Sequence, residues 1–115
     1  CKEMEFNPQD ISVVGISCIG NIDYQTGTVF FAPQFQWHKV ELGEMARKKF
    51  GLPVFVENDM KSSLIGLSHR RQDIRYEDVT YLSIGTGVGA AVMYGGNIVR
   101  GSDNAAGEVG HIILE

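Results

Sequence analysis

Two short apolar runs, Ile11 to Ile19 (ISVVGISCI) and Leu52 to Val56 (LPVFV), limit the architectures open to this chain. Both fall well short of the ~20 apolar residues a membrane span needs, and their β-branched content reads as buried strand. Between them, Lys39 to Phe50 carries a helical period. Leu42, Met45, Ala46 and Phe50 recur at three- and four-residue spacing, while Glu41, Glu44, Arg47 and Lys48 fill the opposite face. Acidic residues come early and basic ones late, and Gly51 follows as a stop, in keeping with the helix dipole.

The connecting segments punctuate these elements. In Asn21 to Phe31 (NIDYQTGTVFF), Asp23 and the Thr26-Gly27 pair mark a turn between two extended pieces. Ala32-Pro33 ends that unit, because proline pushes its predecessor out of helix and cannot serve a central strand. A second helix is expected from Asp59 to about Leu67, with Met60, Leu64 and Leu67 on one stripe. His69 to Asp78 is the most polar stretch and the best candidate for a junction. After it come a strand (Val79 to Ile84), a glycine-rich turn (Gly85 to Gly89) and a further strand (Ala90 to Tyr94). Gly95-Gly96 then pairs that strand with Asn97 to Arg100 in a two-residue hairpin. The order implies an α/β fold with mixed sheets, residues 1–76 closing one lobe and 77–115 opening another. No internal repeat or low-complexity segment interrupts it.

Composition narrows the function classes. The 115 residues can build about one small core, and the formal net charge is −4 with a pI near 5.3. Basic residues gather only around Lys48-Lys49 and Arg70-Arg71, the latter, with Arg75 nearby, read as a solvated loop face. A nucleic-acid binder usually presents a basic face, so DNA contact is expected only through a domain outside this chain. Cys1 and Cys18 form no metal-binding spacing. Two free thiols in a reducing cytosol is the reading preferred to a disulfide between them. With no signal peptide at Cys1-Lys2-Glu3 and no membrane-length run, a cytoplasmic location without membrane contact is expected. Both ends read as internal, the last residues forming another apolar run at Ile112-Ile113-Leu114, so a piece of a longer protein is expected.

Three polar motifs can carry chemistry. Glu57-Asn58-Asp59 stands where a strand gives way to a helix, the end of an open α/β sheet at which ligands gather. An amide and a carboxylate there can bind neighbouring hydroxyls, and a carboxylate can accept the proton of an alcohol attacking a phosphoryl group. Either residue also suits the plainer role of helix cap. Gly85-Thr86-Gly87-Val88-Gly89 lets backbone N–H groups approach a phosphate. It lacks the P-loop Gly-Lys-Ser/Thr and leads into a strand, so an ordinary tight turn remains open. Ala105-Ala106-Gly107-Glu108-Val109-Gly110-His111 sets an acid and an imidazole three residues apart, able to accept from and donate to sugar hydroxyls. A structural role for His111 is the alternative. His38 and His69 read as surface residues. Phe35 and Trp37 suit either a sugar-stacking platform or core anchors.

Taken in order, these motifs resemble the ROK family, which joins bacterial sugar kinases to sugar-responsive repressors. The anchors are Thr26-Gly27-Thr28-Val29, Phe31-Ala32-Pro33 with Trp37, Gly51 through Asp59, the Gly85 to Gly89 turn, Arg100-Gly101, and Ala105 through His111. The resemblance implies the two-lobed, ribonuclease H-like fold of actin, hexokinase and Hsp70. It implies that Asn58, Asp59, Glu108 and His111 bind sugar, that Asp59 is the catalytic base in kinase members, and that Gly85, Thr86, Gly87 and Gly89 bind phosphate. His111 also matches the histidine of the family's structural zinc site, whose cysteines normally lie just downstream. ATP with magnesium is the cofactor of the kinases, and the intact protein is expected to be a homo-oligomer. No cofactor is expected to bind tightly to this stretch alone.

Several positions depart from the family pattern. Cys18-Ile19-Gly20-Asn21 stands in place of the usual Pro-Gly, Gln34 replaces the Asn expected after Ala-Pro, and Met60-Lys61-Ser62-Ser63 replaces a small-residue run. The Asp-Gly-Gly-Thr phosphate loop, a helix-turn-helix and the zinc cysteines are not within the chain. Two readings follow: the sugar-sensing region of a transcriptional regulator, and an ATP-dependent sugar kinase. Asp59 favours the kinase, whereas the altered surroundings favour the regulator, which is the reading preferred.

Overall fold

In the computed structural model, which describes residues 7–70 and 77–113, β1 (Val14–Cys18) lies parallel to β5 (Val54–Asn58), with Cys18 beside Asn58 at their carboxyl ends. Calls on Cys1, Arg71, Arg75 and Leu114 lie outside the described residues. Val54, Val56 and Asn58 point inward and are buried, while Phe55 is 67% exposed. The expected buried strands are thus buried along one face and open along the other. Among the described residues β1 and β5 form a two-stranded sheet, and only one face of it has a core to pack against.

The intervening hairpin consists of β2 (Asn21–Asp23) and β3 (Thr28–Ala32). Its turn is closed by Asp23, whose carboxylate accepts from the Gln25 N–H at 3.0 Å and the Thr26 hydroxyl at 2.9 Å. Its carbonyl accepts from the Gly27 N–H at 2.8 Å. A single turn at Pro33–Phe35 then leads into β4 (Trp37–Val40), paired antiparallel with β3.

β4 corrects the first helix. The helical period had placed its start at Lys39, yet α1 runs Leu42–Phe50. Lys39 and Val40 are taken by the β3 edge, and Val40 packs on the core cluster of Cys18, Ile22, Val29, Ala32, Ala46, Val54 and Val56. Backbone pairing across the hairpin outweighs three residues of helix propensity. Gly51, at φ 65°, ends α1 by donating to the Arg47 carbonyl. Arg47 in turn donates to the Thr26 and Val54 carbonyls at 3.0 and 3.3 Å, fixing α1 against the hairpin turn and β5. Glu44 pairs with Lys48 and Arg47, and these cations hold its exposed carboxyl below the ordinary value.

α2 (Asp59–Arg70) starts where β5 ends and runs three residues past the expected Leu67. Its fully buried Leu64 and half-buried Met60 pack on Ala91 and Met93 of the last sheet, beside Val79, Tyr81 and Ile98. That sheet is the antiparallel series β6 (Val79–Ile84), β7 (Val88–Tyr94) and β8 (Asn97–Ile98). α2 thus bridges the parallel pair and the final meander. No described helix is long and apolar enough to cross a membrane.

Candidate functional site

The parallel pair delivers Ile19-Gly20-Asn21 and Asn58-Asp59 to one edge of a cleft of about 870 Å3. Asn58, 7% exposed, shapes that edge. Its Oδ1 accepts from the Met60 and Lys61 N–H groups at 3.0 and 3.2 Å, and its amide nitrogen donates to the Gly20 carbonyl at 3.0 Å. The cap reading of Asn58 therefore holds, and an amide with two N–H groups keeps one donor for a ligand. Asp59 caps nothing with its side chain. Its carboxylate has no ion pair or hydrogen bond among the described residues, and it lines the cleft. Burial, and then the Asp59 charge, push the Cys18 thiol above its ordinary value. Cys18 is a free, buried cysteine.

A second wall is the turn between β6 and β7. Gly85 donates to the Gly87 carbonyl at 2.9 Å, and a Cβ added to either glycine would meet nothing within 4 Å. Gly85, Thr86, Gly87 and Gly89 all face the cleft. At Gly85 and Gly87 the open backbone is suited to a phosphate or another anion, whereas a Cβ at Gly89 would meet the Met60 side chain at 3.0 Å.

The third wall is the Ala105–His111 segment. Gly107, at φ 100°, lies so close to β7 that a Cβ would collide with the Ala90 carbonyl oxygen. That approach lets the Gly107 carbonyl accept from the Ala90 N–H at 3.1 Å. Glu108 and the short turn Val109–His111 then reach the cleft rim, the His111 ring 3.8 Å from the Glu108 carboxylate and largely exposed. The structure thus brings Asn58, Asp59, Glu108, His111 and the glycine turn together. Phe35 and Trp37 form a tilted pair with ring centres 5.1 Å apart outside the cleft lining, and Phe31 lines the cleft instead. His38 and His69 are exposed.

For a zinc ion, His111 with Glu108 supplies at most two donors, short of a tetrahedral set. No cluster of three metal-ligating side chains occurs among the described residues.

Three polar residues around this cleft, named in the sequence only as departures or as a family anchor, take positions that it did not reveal. Asn21 lines the cleft with a buried Oδ1 that has no hydrogen-bond partner among the described residues. Lys61, 3% exposed, donates to the Asn104 carbonyl at 2.7 Å. Arg100 pairs with Glu57 at 2.7 Å and stacks 3.6 Å from the Tyr24 ring centre. The available signal was a lysine in the first turn of a helix, where the dipole disfavours a cation.

Comparison with known proteins bears on the family and the fold. The sequence pattern of the ROK family matches residues 1–115. The xylose repressor of Caldicellulosiruptor bescii is 34% identical over 113 residues, covering 98% of this chain and 28% of that repressor. A ROK family glucokinase from Streptomyces griseus, solved with glucose and AMPPNP, superposes with TM-score 0.82 at 34% identity, covering 92% of this chain and 34% of that one. A ROK family transcriptional regulator homologous to the E. coli MLC protein superposes with TM-score 0.80 at 28% identity, covering 90% and 26%. The chain spans about a third or less of these relatives, and similar curated proteins include both xylose repressors and glucokinases. The fold is the actin- and hexokinase-like one that the sequence resemblance implies. By motif, pattern and superposition together, this chain belongs to the ROK family.

Proposed function

We propose that the cleft binds a sugar and that, in the whole protein, this region senses the sugar on behalf of a transcriptional regulator. The observation carrying the sugar reading is the convergence of Asn58, Asp59, Glu108 and His111 on one cleft from distant parts of the sequence. Between them they offer acceptors, a donor and an imidazole capable of either, the mixture that sugar hydroxyls demand. Residues 1–76 then close one lobe and 77–115 open the other, with the sugar between.

The regulator is favoured by the composition of the cleft wall. Gly20, Asn21, Gln34 and Met60, where the chain departs from the family pattern, all line it. Departures in the cleft itself fit a site kept for recognition rather than for turnover. DNA would be contacted by a domain outside this chain. One specific observation favours the second reading, a sugar kinase: the Asp59 carboxylate, unpaired among the described residues, shares the cleft with an open glycine turn. In that reading Asp59 takes the proton of the attacking hydroxyl, and ATP with magnesium supplies the phosphoryl group.

The test is calorimetric titration of the full-length protein with D-xylose and D-glucose. Glu108→Ala is expected to weaken binding by roughly five- to a hundredfold, the cost of leaving about one buried polar partner unmatched. Absence of binding by the wild type, or an unchanged affinity in the variant, would refute the sugar cleft.

A further inference from the structure

Lys61 occupies a position hostile to a lysine. It sits in the first turn of α2, where the helix dipole favours negative charge, and it is only 3% exposed. An ammonium is tolerated in such a place when both its N–H groups and its charge find partners. Here Nζ donates to the Asn104 carbonyl at 2.7 Å. Burial is the largest influence on the group and pushes it below the usual lysine value, while the Glu57 and Glu108 carboxylates favour its charge and Arg100 opposes it.

The acceptor lies in the loop that leads from β8 to Glu108. Asn104 itself holds a left-handed backbone at φ 59°. The loop closes through the Ala106 N–H, which donates to the Arg100 carbonyl at 3.0 Å. At its start Arg100 is gripped by Glu57 at 2.7 Å and by the Tyr24 ring. At its end Gly107 is bonded to Ala90 of β7. Between these anchors Lys61 holds the middle of the loop without lining the cleft. A local rule broken at this cost, with a specific set of compensating partners, marks a residue retained for a purpose.

We infer that Lys61 is a positioning residue for the ligand cleft: it fixes the loop through the Asn104 carbonyl and so presents Glu108 to the sugar. The inference rests on the sugar-cleft reading, and two measurements on the full-length protein keep the two apart. Without any ligand, amide hydrogen exchange in residues 101–107 is expected to quicken by about tenfold or more in Lys61→Met, because the loop has lost its central anchor. With D-xylose and D-glucose, Lys61→Met is expected to weaken binding by about tenfold in the wild-type background and by no more than about twofold when Glu108 is already alanine. Residues acting through one another show such coupling, whereas a purely structural lysine gives equal factors in both backgrounds.

Unchanged exchange in the loop, or equal factors in both backgrounds, overturns the inference. A wild type that binds neither sugar overturns the sugar reading and the sugar-presenting role together. Binding by the wild type with no loss in Lys61→Met overturns the positioning role alone. Should Lys61→Met fail to fold, Lys61→Leu, which likewise removes the N–H donor to the Asn104 carbonyl, is decided by the same outcomes.

Discussion

The side-chain amide of Asn58 donates to the Gly20 carbonyl at 3.0 Å, joining the carboxyl ends of two parallel strands, while its oxygen caps α2 through Met60 and Lys61. One side chain thereby ends β5, starts a helix and sets the exit of β1. Asn58→Ala is expected to destabilise the protein by about 1–3 kcal/mol, the sum of a lost cap and an unmatched carbonyl. Asn58→Asp keeps the cap acceptor and loses only the donor, so its loss should be smaller. Urea unfolding midpoints decide between them. Equal losses would assign the stability to the Gly20 bond rather than to the cap.

The glycines around the cleft should divide into two classes. At Gly107 a Cβ would strike the Ala90 carbonyl and the backbone is left-handed at φ 100°, so Gly107→Ala should cost about 1–3 kcal/mol. At Gly87 nothing lies within 4 Å, so Gly87→Ala should stay within about 0.5 kcal/mol of wild type. Thermal unfolding of the two variants side by side is the check. Equal melting temperatures would contradict the close contact of the 105–111 segment with β7.

Lys61 makes stability depend on pH in a defined direction. Burial lowers its folded value below the ordinary 10.5, so between the two values the unfolded chain holds more protons than the folded one. Stability contributed by this group therefore rises with pH through that window, and below the window the buried charge detracts by a constant amount. The stability of wild type relative to Lys61→Met should accordingly improve as pH is raised towards 10.5. Urea midpoints at a series of alkaline pH values measure it, and a flat difference would contradict a depressed lysine.

What could be read in the sequence was whatever local chemistry decides. Asp23 with Thr26-Gly27 closes a turn through its own neighbours, and Gly95-Gly96, both at positive φ, joins β7 to β8. The start of α1 was misplaced because Trp37–Val40 is claimed by β3, a pairing that no helical period reveals. The cleft residues were found through motif order, since Asp59 and Glu108 have no local relation. The pairing of Lys61 with Asn104, and of Arg100 with Glu57 and Tyr24, was not legible because these partners lie across the fold. At Asn58 the cap uses the side-chain oxygen and leaves one N–H to spare, so the cap and ligand roles are compatible.

Asp59 separates the two functional readings in the full-length protein. Its carboxylate lines the cleft without a partner among the described residues, and Asp59→Asn preserves its size while removing its basicity. In a kinase, loss of a general base costs about 10²–10⁴-fold in rate, so turnover should collapse with only a modest change in sugar affinity. In a regulator, the same change should shift only the sugar concentration that alters operator binding, because differential affinity between two states does all the work. Cys18 provides an internal control for both. The Asp59 charge is the second cause, after burial, of its raised thiol value, so Asp59→Asn should quicken alkylation of Cys18 if the site is otherwise intact. Robust sugar phosphorylation by the wild type that vanishes in Asp59→Asn would overturn the regulator. A wild type lacking phosphorylation, yet releasing or gaining DNA on addition of sugar, would overturn the kinase.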